Sequence, residues 1–456
     1  MLSETICQQA RLARDARVDG QFFLAVSSTG IFCRPICPAR PPAEHNVQYF
    51  FNAAAASAAG YRPCLRCRPD SAPGSAAWAG SQTTLTRALK LIDEGALQQQ
   101  SQAQLCERLG ITERYLRKLF QQHLGLAPKQ YALMQQVLFA KKLLHETALP
   151  IADIAFQAGF NSIRRFNDAF KRQLQLNPAS IRRRSMQNSH SIELELSYRP
   201  PLAWQAMLAF WQARTLDGVD WVNGNRFGRT FSYLQQAGWF DVAPKSNNSM
   251  TLRLFWPGKQ GLFALLQHIR RLLDLDANML QVEQQLTAHA LFQQRFISGL
   301  RIPGLWCQWE AGVRAVLGQQ VSVAGARTQL NRLVQALGVD IGEGKKLFPP
   351  PEAVATSDLQ MIKVPQARRE TLKALANYVI ATPDAAPETW LSIKGIGPWT
   401  INYARMRGLS DSDIWLGGDL GVQKALAQHN ATANGSDSLA PWRSYATLQL
   451  WFSLGD

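Results

Sequence analysis

The chain has 456 residues, 46% of them hydrophobic and 18% charged, with a net charge of +16. That composition excludes a disordered or collagen-like chain, and the length suits about three domains at roughly 150 residues each. No apolar run approaches the ~20 residues that a membrane-spanning helix needs, so the basic excess points to nucleic acid rather than to a bilayer.

The stretch Met1 to Arg17 mixes acidic and basic side chains without an apolar core, which is not the pattern of a signal peptide. The expected setting is the cytoplasm, where disulfides are rare. Two breaks then divide the chain. Asp70–Gln82 is rich in Pro, Gly, Ser and Ala, and Ser185–Ser191 is short and polar. The domains expected are 1–80, 81–185, 191–300 and 301–456. Residues 81–185 carry +9 of the +16, which marks them as the main duplex-contacting block.

The first block holds two close cysteine pairs, Cys33 with Cys37 and Cys64 with Cys67. In a cytosolic chain this spacing fits four thiolates around one tetrahedral Zn2+, and the bland reading is a structural metal in a module with a modest core. Gly30-Ile31-Phe32-Cys33-Arg34-Pro35, Tyr61-Arg62-Pro63-Cys64-Leu65-Arg66-Cys67-Arg68-Pro69-Asp70 and the upstream Asp19-Gly20-Gln21-Phe22 closely resemble the N-terminal module of Ada-type adaptive-response proteins. The resemblance implies that Cys33 accepts a methyl group from a DNA methylphosphotriester. The chemistry is consistent with that. A metal-bound thiolate stays deprotonated and nucleophilic. Four thiolates repel an ordinary phosphodiester but not a neutral triester, and methylation removes one negative charge, which would strengthen DNA binding. Arg34, Arg40, Arg62, Arg66 and Arg68 are candidate phosphate partners, or simply solvated.

The middle block contains two helix-turn-helix patterns. Ser101 and Gln104 form a capping-box pair, Gly110 allows a turn, and Thr112 caps a helix carrying Arg114, Arg117 and Lys118. The pattern recurs with Ile151–Ala158, the turn at Gly159, and a helix from Ser162 carrying Arg164, Arg165, Lys171 and Arg172. Helical hairpins with solvated basic faces are the plain alternative. The repeated turn and Ile151-Ala152-Asp153-Ile154-Ala155-Phe156-Gln157-Ala158-Gly159-Phe160 resemble AraC-type regulators over residues 83–184. That resemblance implies duplex DNA and RNA polymerase as partners.

The last block opens with alternation at Ile192, Leu194, Leu196 and Tyr198, and again at Met250, Leu252, Leu254 and Trp256, which predicts strands. From about Gly261 the periodicity is helical. Gly395 and Gly397 lie in a tight interhelical turn, where backbone N–H groups can approach a phosphate. Ile414-Trp415-Leu416-Gly417-Gly418-Asp419 follows. Taken singly, a Trp here reads as core and Asp419 as a helix cap. Together with Gly312–Ser322 and Pro441–Ala446 they resemble the helix-hairpin-helix DNA glycosylases, the AlkA-type DNA-3-methyladenine glycosylase II above all, over roughly 192–454.

That resemblance implies a flipped-base pocket with Trp399, Tyr403 and Trp451 as its aromatics, and with Gln319 and Gln320 as further substrate contacts. Asp419 would stabilise oxocarbenium character, activate water, or both. Trp399 stands where some relatives carry a Schiff-base lysine, which implies a monofunctional glycosylase. Gln320 stands where the family has an apolar wedge. The Pro-Cys-His-Arg motif of guanine-oxygen repair is missing.

The fold class expected is multidomain α+β: a small zinc-bound α/β module, an all-α double helix-turn-helix domain, then a mixed α/β subdomain and an all-α helix-hairpin-helix body. The expected protein is a monomeric sensor, regulator and repair enzyme in one chain. A zinc-containing regulator with an inactive glycosylase block is the rival, and a glycosylase merely targeted by its front modules is a second.

Overall fold

The computed structural model describes residues 4–14, 19, 22–50, 53–64, 66–67, 69, 81–182, 191–293, 295–383, 385–428 and 436–454. The chain forms two compact units, residues 1–92 with 100–128 and residues 93–99 with 129–456.

In the first unit, β1 (Phe23–Val26), β2 (Ile31–Cys33), β3 (Val47–Phe50) and β4 (Arg62–Pro63) form one sheet in the order β3-β1-β2-β4. β1 and β2 make an antiparallel hairpin whose turn uses Gly30 at φ 65°, and β4 adds to β2 in parallel. Every residue of β1 is buried because both faces are covered. Phe23 and Ala25 pack with Phe32 and Ala56 on one side. Leu24 and Val26 pack with the four cysteines on the other.

The first helix-turn-helix completes this unit. Ser101 and Gln104 cap each other reciprocally at the start of Gln102–Leu109, and Gly110 ends that helix at φ 67°. Thr112 then accepts the Tyr115 N–H at 3.2 Å. The helix Glu113–Leu124 buries Leu116, Leu119 and Phe120 and leaves Arg114, Arg117 and Lys118 exposed.

The second unit takes in the helix Pro128–Glu146 from residue 129 onward and the second helix-turn-helix. Gly159 must be glycine there: φ is 86°, and a Cβ would lie 2.6 Å from the Gln98 side chain. Ser162 caps Ile163–Leu174 through the Arg165 N–H, and Phe166, Ala169 and Phe170 form its buried face. A five-stranded antiparallel sheet follows, ordered β5-β9-β8-β7-β6, with β5 (Ile192–Ser197), β6 (Asp220–Asn223), β7 (Arg226–Tyr233), β8 (Gln236–Ser246) and β9 (Ser249–Phe255). The two strands expected from alternation are β5 and β9. They pair antiparallel, with Leu194 opposite Leu252 and Leu196 opposite Met250. β7 shows no polar alternation because it is covered on both sides; Trp221 lies so close over Gly228 that a Cβ there would meet its ring at 2.3 Å.

The remaining chain is a helical body that also carries a small hairpin, Val339–Gly342 with Lys345–Leu347. Among the described residues no helix is long and apolar enough to cross a membrane.

A buried ionic network ties this body to the sheet. Arg229 on β7 bonds Glu310 at 2.7 Å, and Arg314 bonds Glu310 at 2.9 Å and Asp220 at 2.7 Å. Burial on its own pushes the Glu310 carboxyl up, but Arg229 and Arg314 outweigh it and hold it below the ordinary carboxylate range. Glu310→Ala would leave the two buried guanidinium groups to share the single Asp220 carboxylate. We expect it to destabilise the second unit by about 3–5 kcal/mol, read as a lowered urea midpoint of the full chain; a change within ~0.5 kcal/mol would mean the network is dispensable.

Candidate functional site

Three sets of residues carry the chemistry. In the first unit the Sγ atoms of Cys33, Cys37, Cys64 and Cys67 lie within 4.8 Å of one another, and none is in a disulfide. Cys37 Sγ and Cys64 Sγ are 4.0 Å apart, close to the ~3.8 Å edge of a tetrahedron with ~2.3 Å metal–sulfur arms. Four soft donors at one point, with no carboxylate among them, suit Zn2+.

Arg34 does not have the role expected of it. It is buried rather than facing solvent. Its Nε donates to Asp19 at 3.0 Å, a second nitrogen pairs with the same carboxylate, and Nη1 donates to the Cys67 carbonyl at 3.2 Å. Its backbone N–H reaches Cys67 Sγ at 3.3 Å. Arg34 therefore braces the metal loop. Asp19, which sequence reading noted only as part of a motif, is its counter-ion. Arg40, Arg62 and Arg66 are exposed, and Arg68 lies outside the described residues.

The two recognition helices form the second set. Arg164 and Arg165 are exposed on Ile163–Leu174, as are Lys171 and Arg172. Both basic faces are thus open to a polyanion.

The third set surrounds Asp419 at the start of the helix Leu420–Gln428. Its Oδ1 accepts from the N–H groups of Gly421 at 2.9 Å and Val422 at 3.1 Å, and from Trp451 Nε1 at 2.9 Å. Its Oδ2 accepts from Trp399 Nε1 at 3.0 Å. Asp419 is therefore a helix cap, and at the same time a carboxylate held by two indoles. Tyr403 lies 5.5 Å from Trp399 and 6.5 Å from Trp451, centroid to centroid, so the three expected aromatics do converge.

Phe210 joins them, stacked on Trp451 at 6.4 Å and on Phe452 at 5.6 Å. Arg407, also buried, donates to the Tyr403 hydroxyl at 3.1 Å. Sequence reading missed both residues. Phe210 comes from the helix Trp204–Gln212 of the mixed subdomain, where an aromatic looks like ordinary core.

The hairpin turn sits alongside. Gly395 has φ 90°, and a Cβ there would fall 2.2 Å from Thr371 Oγ1. Gly397 instead is extended and borders open space at the start of Pro398–Gly408. Gln319, an expected substrate contact, donates its amide nitrogen to the Gly395 carbonyl at 3.1 Å and to Thr400 Oγ1 at 3.0 Å, clamping the turn. Gln320 is exposed at φ 58° beside Val321, which is also exposed.

Family models described as the metal binding domain of Ada, a helix-turn-helix domain and the AlkA N-terminal domain match residues 6–70, 105–184 and 193–307. Over 98% of its length the chain is 35% identical to a Mycobacterium tuberculosis protein named a probable bifunctional transcriptional activator/DNA repair enzyme AlkA, covering 96% of it. The chain belongs to this bifunctional AlkA family.

Over 57% of its length this AlkA-family chain is also 30% identical to DNA-3-methyladenine glycosylase 2 of Escherichia coli, covering 97% of that protein. A 3-methyladenine DNA-glycosylase structure from Archaeoglobus fulgidus shares the fold, with a TM-score of 0.50 at 18% identity, over 57% of this chain and 97% of that one. This AlkA-family chain is thus a DNA repair protein and transcription activator with an Ada-type zinc domain, in which the four cysteines hold one Zn2+ and DNA is the partner. The reading as a regulator with an inactive glycosylase block is not favoured.

Proposed function

We propose that this AlkA-family chain excises 3-methyladenine-type purines from duplex DNA by hydrolysing the N-glycosidic bond, and takes methyl groups from methylphosphotriesters onto Cys33. The observation that carries the first half is Asp419, fixed by two indole N–H groups at the edge of an aromatic cluster. Ring alkylation makes the base cationic, and Trp399, Tyr403 and Trp451 offer faces that attract a cation. Asp419 Oδ1 is occupied by three donors, whereas Oδ2 accepts one among the described residues. Oδ2 is therefore the oxygen able to face the sugar cation or an incoming water. Gly395 and Gly397 bring backbone to the phosphates, with Gln319 holding that turn in place. Gln320, at the tip of its turn, takes the wedge position.

For the methyl transfer, the Cys33 thiolate attacks the methyl carbon, the C–O bond breaks, and the DNA leaves as an ordinary phosphodiester anion. Zn2+ keeps the thiolate deprotonated when bound. The product thioether carries no charge, which lowers repulsion between site and DNA. Arg114, Arg117, Lys118, Arg164 and Arg165 then contact promoter DNA, with Arg62 as a phosphate partner beside the metal, and the bound chain recruits RNA polymerase as a monomer. This reading keeps four functional blocks, 1–80, 81–185, 191–300 and 301–456, and a cytoplasmic setting. It includes neither strand cleavage nor repair of alkylated guanine oxygen.

Release of free methyladenine from methylated duplex with strands intact, together with methyl uptake that Cys33→Ala abolishes, is the expected result. Intact DNA binding without base release would return the block to a purely regulatory role. Methyl uptake by Cys33→Ala would remove the second half.

A further inference from the structure

The second helix-turn-helix shares one apolar core with the repair enzyme. Val137, Leu143, Leu144, Ile154, Phe166 and Phe170 belong to the same apolar cluster as Leu194, Leu252, Phe263 and Leu266. Phe139 meets Phe263 edge-on at 5.0 Å.

Polar contacts fix the seam further. Gln157, in the first helix of this helix-turn-helix, is buried. Its Nε2 donates to the Gly258 carbonyl at 2.6 Å, and its Oε1 accepts the Leu262 N–H at 3.2 Å. A regulator residue thereby caps the helix Leu262–Leu272, whose own N-cap, Gly261, offers no side chain. Lys142 donates to the Glu195 carbonyl, and the Glu195 N–H donates to Glu146 at 2.9 Å. On the helix that follows, Ile163–Leu174, Arg164, Arg165, Lys171 and Arg172 stay exposed.

We propose that the basic face of Ile163–Leu174 is a DNA-holding surface of the glycosylase itself, working on undamaged duplex beside the lesion as well as at promoters. The proposal rests on the glycosylase reading above. Two binding surfaces carried on one shared core avoid the entropy of a flexible tether, so the second contact adds to the first without dilution. Each phosphate contact also adds about one unit to the salt slope. The expected signature is a KM effect that depends on duplex length.

The experiment compares the full chain with Arg164→Gln/Arg165→Gln on methylated duplexes of about one helical turn and about four turns. The variant should raise KM on the long duplex by roughly tenfold and flatten its salt dependence, with the rate at saturating DNA kept and the short duplex unaffected. Equal KM and salt slope for the two proteins on the long duplex would overturn the proposal. If the unsubstituted chain releases no base from either duplex, the glycosylase reading fails on its own. Fluorescence anisotropy with the same duplexes then decides the holding role: a length-dependent loss of affinity supports it, and equal affinity sinks it.

Discussion

Asp419→Asn is expected to lower the single-turnover rate of base release by roughly 100- to 10,000-fold while leaving DNA affinity close to that of the unsubstituted chain. The geometry makes this a removal of charge that spares the helix cap. Asn keeps an oxygen at the position of Oδ1, so the N–H groups of Gly421 and Val422 and the indole of Trp451 retain their acceptor, and Asn is itself a good helix cap. The change falls on the other atom. An NH2 group replaces Oδ2, turning the one lightly used acceptor into a donor that faces the Trp399 indole N–H. Negative charge next to the developing sugar cation disappears, and so does a base for water. A ground-state contact would show in KM; an interaction made only at the transition state shows in the rate. Release by the variant at the parental rate would show that the carboxylate is only a cap, and the search for a catalytic group would have to begin elsewhere in the cluster.

What the sequence made legible was local. Cys33, Cys37, Cys64 and Cys67 stand in close pairs, so their spacing alone announces a metal, and their sulfurs do converge. Gly110 and Gly159 mark turns because their positive φ angles exclude most side chains. Ser101 and Ser162 announce helices that start at the next residue, each accepting the N–H three residues on. β5 and β9 were visible through alternation because one face is polar, whereas β7, covered on both faces, was not.

The residues that escaped are those whose meaning depends on a distant partner. Phe210 reads as core until the fold lays it against Trp451. Arg34 reads as a phosphate ligand until Asp19 takes its guanidinium. Gln319 reads as a base contact until it reaches Gly395 and Thr400. Gln157, in a regulator signature, turns out to cap a helix of the repair enzyme. In each case only tertiary packing could say which acceptor or ring the side chain would meet.

Loss of the metal is expected to unfold the zinc module and leave base release intact. Apolar packing on the cysteine face of that module is thin: Leu24 and Val26 pack against the four cysteines, with Ile31, Ala39, Val47 and Tyr49 at the margin. No disulfide substitutes for the metal. A structural zinc site contributes about 10–16 kcal/mol at neutral pH, as much as or more than the ~5–15 kcal/mol that separates most folded domains from their unfolded chains. Cys64→Ala, or a strong chelator, should therefore abolish protection of the β1–β3 amides against hydrogen exchange and end methyl uptake. Asp419 and its indoles belong to the other compact unit, so excision should proceed at its usual rate. Amides that stayed protected after metal removal would mean that Phe23, Phe32 and Ala56 on the opposite face suffice to fold the sheet. A fall in excision with the metal would mean that the glycosylase needs the zinc module in place, and the two activities would then have to be treated as one machine rather than as two that share a chain.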